Sequence, residues 1–304
     1  MTPDANNRAI AGRGPSRAPG TGKRALHRGL LLAPALAVVL VLFAGGLLNA
    51  FWVSLGQLPL LGDQPLTLVY YQQLLHNPAF WRSLGWSLYL ALASTLIASV
   101  LALGCALLLR HRPGRVSFVL FQLPLTLPHL MAGVAMMLLL SQSGLLARLA
   151  ATLGWIQNPN DFPALINDSL GFGIIAAYVW KETPFIALIL LTALRGQTQD
   201  QEEAARTLGA SPWQCFWHVT LPRLMPALVI SGVFVFSFTF GAFEVPLLLG
   251  PTSPETLPVA AWHSYRSVDW AQRPLAMAMT LILALISSLL CLLYFKLTLN
   301  RRPV

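Results

Sequence analysis

Apolar residues run along this chain in six long stretches, at 30–55, 84–109, 116–140, 170–194, 224–248 and 275–297, separated by polar or Pro/Gly-containing segments. A run that is apolar on every side has neither the alternation of a half-buried strand nor the polar stripe of a surface helix. About 20 helical residues cross a hydrocarbon core of about 30 Å, whereas a barrel strand needs only about 9–11. The pattern predicts an all-α, polytopic membrane protein with six transmembrane helices, each pairing its backbone polar groups within itself.

Composition narrows the classes further. Of 304 residues, 56% are hydrophobic and 10% charged, and the mean hydropathy is +0.63. A soluble domain carries about 25% charged residues, so this chain cannot cover a water-facing shell. Disorder and collagen-like fibres are excluded by the high apolar content and the lack of a glycine period. The net charge of +9 would suggest nucleic acid in a soluble protein, but its distribution points to membrane lipid and not to nucleic acid. Fifteen Lys and Arg fall in the N-terminal tail, the 110–115 link, the 195–223 segment and the C-terminal tail, against four on the opposite side. By the positive-inside rule both termini are cytoplasmic.

The resulting organisation is a basic cytoplasmic tail at 1–29, a first transmembrane helix with its outward loop at 30–83, a five-span core at 84–297 and a short cytoplasmic tail at 298–304. The tail and first apolar run imitate a signal peptide. The run, however, exceeds the roughly 7–15 residues of a signal's apolar region, so it reads as an uncleaved anchor. The outward loops at 56–82, 141–168 and 250–274 are long enough to hold short surface helices, and Gly144-Leu145-Leu146-Ala147-Arg148 opens a helical pattern.

The inward segment at 200–222 carries the densest local signals. Asp200 is placed to cap a helix, with Glu203 three residues on and Ala204 and Ala205 following. Gly209 suits a left-handed C-terminal position. A second helix opens with Ser211, Pro212 and Gln214 in capping-box spacing and is expected to stop before Leu221 and Pro222. Trp213, Phe216 and Trp217 share one face, which headgroups or a partner must cover. Glu202 and Glu203 would be repelled by anionic lipid, which favours a partner.

Glu203-Ala204-Ala205, three residues, Gly209, nine residues, Val219, one residue, Leu221-Pro222 resembles the EAA loop of binding-protein-dependent ABC importer permeases of type I. Val219 stands where the family usually has Ile. The resemblance covers about 84–297 and implies the type I permease fold. It further implies that 200–222 docks on an ATP-binding subunit dimer, that a second permease subunit completes the pathway, and that a soluble solute-binding protein delivers cargo from outside. Leu127-Pro128-His129-Leu130, Gln142-Ser143-Gly144-Leu145 and Gly241-Ala242-Phe243-Glu244-Val245-Pro246 look like the spermidine/putrescine-type subfamily. Its relatives also handle sulfate, molybdate, ferric iron, thiamine and phosphonates.

The chain has no site for the energy source itself. Gly20-Thr21-Gly22-Lys23 fails the phosphate-loop pattern, with Arg17 and Arg24 at two required positions, so ATP hydrolysis is expected on a separate chain. No HExxH or GxSxG occurs, and Cys105, Cys215 and Cys291 form no ligand spacing, so no enzyme activity, metal or cofactor is expected. An ion-coupled secondary transporter is the competing class, since six spans and a few buried charges suit it too.

Three charges are candidates for the translocation path. Lys181 and Glu182 lie mid-span, and as helical neighbours about 100° apart they cannot pair well with each other. At least one must therefore face another helix or a wet cavity. A structural tie between helices and a place on the path are equally open readings. Glu244 lies near the outer end of the fifth span, between Gly241 and Pro246, where a carboxylate suits a cationic solute. Pro124, Pro128 and His129 read as residues that bend or pack the third span, and Trp262, Tyr265 and Trp270 as interface anchors.

Overall fold

A computed structural model describes residues 21–58, 65–110, 114–194 and 197–299. The sequence readings of 1–20 and 300–304, and of Arg112 and Arg195, lie outside the described residues. Among the described residues every regular element is helical. The chain divides into two compact units, parted after Asn49. The first contains helix α1 (Thr21–Ser54) as far as Asn49; its described side chains over 32–49 are exposed and almost all apolar, which suits lipid.

The second unit holds α2 (Val69–His76), α3 (Pro78–Leu109), α4 (Arg115–Thr126), α5 (His129–Leu140), α6 (Leu145–Thr152) and α7 (Phe172–Leu194), followed by α8 (Gln197–Thr207), α9 (Pro212–Cys215) and α10 (Leu221–Gly241). It closes with α11 (Glu244–Leu249), α12 (Leu257–Arg266) and α13 (Gln272–Leu299). The loops expected to hold short helices contain α2, α6 and α12. Asn77 caps α3, its Oδ1 accepting from the amide of Ala79 at 2.9 Å, with Pro78 at the first position.

Six stretches are long and apolar enough to span, and four of them match the expected runs. The third and fifth depart from expectation, each for a reason written in proline or glycine chemistry. The run 116–140 is two helices, with Leu127 (φ −85°, ψ 135°) and Pro128 (φ −58°, ψ 148°) extended between them. Proline has no N–H and drives the preceding residue out of the helical region. The apolar stretch of spanning length here is His129–Thr152, across α5 and α6.

The fifth span begins earlier and ends sooner than 224–248. It is helical from Pro212, through a π turn at Phe216–Thr220, to Gly241. The second inward helix therefore does not stop before Leu221 and Pro222 but runs directly into the span. A ring at Pro222 would clash with the carbonyl one turn back in a regular helix, and a π turn just before it is one way to accommodate that without a break. The Leu221 amide accordingly reaches back five residues to the Phe216 carbonyl.

α7 is the most buried span and packs on α3, α4, α5 and α10. On α3, Ala98, Ala102 and Ala106 repeat every four residues and are fully buried against Ile186, Ala187 and Leu190 of α7. Spans gain little from expelling lipid, so a stripe of small side chains that lets two backbones approach is what favours this contact.

Candidate functional site

The inward knuckle is built from α8, α9 and the π turn. Gly209 has φ 87°, a conformation that costs any residue with a Cβ. The Gly209 amide donates to the Arg206 carbonyl at 2.9 Å and the Ala210 amide to the Ala205 carbonyl at 3.1 Å, closing α8 with a Schellman motif. A Cβ at Gly209 would meet nothing within 4 Å, so the requirement is conformational and not one of space. Ser211 and Gln214 form the capping box foreseen from the sequence, the Ser211 amide donating to Gln214 Oε1 at 2.8 Å. Asp200 does not cap α8: the helix already runs from Gln197, which leaves Asp200 in its first turn.

The EAA-like residues gather on this knuckle. Glu203, Ala204 and Gly209 are exposed, and Ala205 and Val219 are half-buried. A depression of about 430 Å³ is lined by Ala205, Leu208, Gly209, Gln214, His218 and Val219, among others. Leu221 and Pro222 open α10. Beside the depression the apolar surface is large: Leu208 is 88% exposed and Trp213 69%. Trp213, Phe216 and Trp217 pack on one another with ring centroids 5.3–6.0 Å apart.

Glu202 has a different task from its neighbour. It turns inward, and its carboxylate accepts from Arg110 Nη1, at the end of α3, at 2.9 and 3.1 Å. The Thr220 hydroxyl in the π turn donates to the same carboxylate, and Arg223 Nε donates to Gln201 Oε1 at 2.9 Å. Glu202 is therefore not a surface charge, contrary to the expectation that set it beside Glu203, which alone of the two is exposed. The clasp joins residues 92 positions apart, and no local spacing announces it.

Within the spans, Lys181 and Glu182 are 4% and 9% exposed and take separate partners, as their angle round the helix requires. Lys181 Nζ donates to the carbonyl of Pro124 at 2.9 Å, and Glu182 Oε1 lies 3.0 Å from His129 Nε2. Both partners flank the break in the third span. This role of His129 was not read from the sequence. The one signal available was the pair Pro124 and Pro128: a proline four residues on leaves the first one's carbonyl without its helical donor.

Glu244 is half-buried in the first turn of α11, after a two-residue break at Ala242 and Phe243, and so does not sit within a continuing fifth span. Tyr178, on α7, is fully buried. The aromatic residues after α11 hold arginines: Arg266 stands 5.0 Å from the Trp262 ring centre, and Arg273 stands 3.8 Å from Trp270 and 5.4 Å from Tyr265.

The family model described as binding-protein-dependent transport system inner membrane component matches residues 94–299. The trehalose/maltose transport system permease protein MalF of Thermococcus litoralis is 29% identical over 270 residues, 84% of this chain and 89% of that one. The putrescine transport system permease protein PotI of Escherichia coli is 26% identical over 240 residues, 78% and 76% of the two chains. A solved bacterial ABC transporter involved in the import of the acidic polysaccharide alginate superposes with a TM-score of 0.74, over 92% of this chain and 98% of that chain. At 16% identity, that likeness is one of fold.

Proposed function

The chain belongs to the family of binding-protein-dependent transport system inner membrane components, and from that premise we propose that it is driven through the 200–222 knuckle by ATP-binding subunits on separate chains. It is a multi-pass inner-membrane permease subunit of an ABC importer, which sets aside the ion-coupled secondary transporter. The observation that carries the coupling reading is the exposed face of Glu203, Ala204 and Gly209 beside the depression. It stands on a knuckle held rigid by the buried Glu202 clasp and continuous with α10. Exposed Leu208, Trp213 and Trp217 supply apolar surface for a partner, and Glu203 supplies charge at its rim. A second permease subunit, identical or not, and a solute-binding protein on the outer side complete the assembly in this reading.

The cargo we infer is a polyamine of the spermidine or putrescine kind. Glu244 supports it as a carboxylate at the α10–α11 break, in a segment that resembles polyamine permeases. Of the three charges considered for the path, Glu244 keeps that role here. Lys181 and Glu182 act as ties between helices, because both are buried and both have partners. By their names, MalF, PotI and the alginate transporter handle a neutral sugar, a cation and a polyanion. A shared frame therefore does not set the charge of the cargo.

The test is to purify the tagged chain from its native membrane. Vanadate-sensitive ATPase activity should accompany it, and Glu203→Lys should leave the chain inserted while abolishing uptake of labelled putrescine. Retained uptake in that variant would count against coupling through the knuckle. Sulfate, molybdate or maltose displacing putrescine as the accumulated label would replace the cargo assignment alone.

A further inference from the structure

The break at Leu127–Pro128 lies against α7, and what bridges it gives His129 a task within the proposed permease function. Pro128 cannot donate to the carbonyl of Pro124, and Lys181 supplies the missing donor. On the other side of the break, Glu182 holds His129, the first residue of α5. Two successive residues of α7 thus serve two helix ends. A cation meets the C-terminal end of α4 and a carboxylate the N-terminal end of α5, each the sign that the helix dipole favours.

The two halves of this splint differ. Lys181 is buried and bound to backbone, which makes it a fixed anchor. The His129 side chain is 31% exposed, and its ring also lies against Phe238 of α10, with centroids 4.3 Å apart. α7 leads into the knuckle and α10 leads out of it, so one imidazole touches both helices that any movement of the knuckle must shift.

We propose that His129 is a positioning residue for transport: through Glu182 on α7 and Phe238 on α10 it passes a change in the separation of those helices to α5, which turns about the Lys181–Pro124 anchor. No other described side chain is shown bonded to α7 while stacked on α10 at this break. The third span is the natural receiver, because its backbone is already non-helical at Leu127 and Pro128 and needs no helical bond broken to bend.

The experiment uses the whole chain in nanodiscs, with Cys105, Cys215 and Cys291 replaced by Ala and spin labels on Leu120→Cys and Met131→Cys. These positions are exposed on either side of the break. Pulsed EPR reads the distance between the labels. His129→Ala should raise the population of a second distance about fivefold, as expected for losing one interhelical hydrogen bond. His129→Gln, whose amide reaches about as far as Nε2 and so can still bond Glu182 and pack on Phe238, should restore the native distribution.

In the assembly purified with its ATPase, Mg-ATP and vanadate should shift the distance in the native and Gln chains but not in the Ala chain. A native distribution in His129→Ala overturns the proposal. So does an unmoved distance in an assembly whose ATPase vanadate has inhibited. Absence of any co-purifying ATPase would instead sink the coupling reading, while the comparison of Ala with Gln still judges the joint.

Discussion

Replacing Glu202 by Ala should loosen the knuckle without unfolding the spans. The carboxylate accepts from Arg110 and Thr220, and the side-chain exposures of Glu202 and Arg110 are 9% and 24%. Breaking a fully buried ion pair costs about 3–5 kcal/mol, and an exposed pair is worth about 0–1. Arg110 can turn to water, so this pair lies between those limits, at about 2 kcal/mol, or about a 30-fold rise in local opening. Glu202→Gln keeps an acceptor for Thr220 and should lose about half of that energy. Hydrogen exchange by mass spectrometry on the chain in nanodiscs reads the effect directly. Peptides covering 200–222 should exchange faster in Glu202→Ala, while those of α7 stay protected. Unchanged exchange at 200–222, or equal loss of protection in α7, would refute the idea that this carboxylate braces the knuckle locally.

Other outcomes rest on the same packing. Gly209→Ala, at φ 87°, should cost about 1 kcal/mol of knuckle stability and Gly209→Asn less, since Asn tolerates the left-handed region; proteolysis rates at the α8–α9 turn would rank them, and equal rates would contradict the conformational argument. Ala102→Leu, forced between α3 and α7 where Ala102 is fully buried, should lower the detergent-state unfolding midpoint by the equivalent of about 1–3 kcal/mol. A midpoint at the native value would mean that the helices do not pack through the alanine stripe. Lys181→Met should leave the Pro124 carbonyl without its donor and reduce the amount of inserted chain, whereas Glu244→Gln should leave insertion unchanged and weaken putrescine uptake. Equal insertion of both variants would contradict the anchoring role of Lys181.

The number of spans and the places of four of them were legible because membrane crossing imposes one length and one polarity on each helix. The capping box at Ser211 and Gln214 and the left-handed Gly209 were legible because they are local chemistry. What the sequence hid falls into two kinds. Proline effects were seen as bends but not traced to their partners, so the orphaned Pro124 carbonyl and its Lys181 donor were missed, as was the π turn that carries α9 into α10. Contacts between distant positions, such as Arg110 with Glu202, leave no trace in a single chain, because either residue alone reads as an ordinary charge. Asp200 misled for a related reason: an acid suits both the cap and the first turn, and only the backbone decides which.

The continuous helix from Pro212 to Gly241 has 30 residues, about 45 Å of rod. A wide turn absorbs one surplus residue without resetting the angle of the turns beyond it, so the aromatic face at Trp213 and Trp217 keeps a fixed phase relative to Phe238 far along the same rod. Rotation applied at one end is therefore carried along one helix, in which Pro226 removes a bond to the carbonyl one turn back. Inserting a single residue after Thr220 would leave every neighbouring contact type available, yet would turn the two ends about 100° out of step.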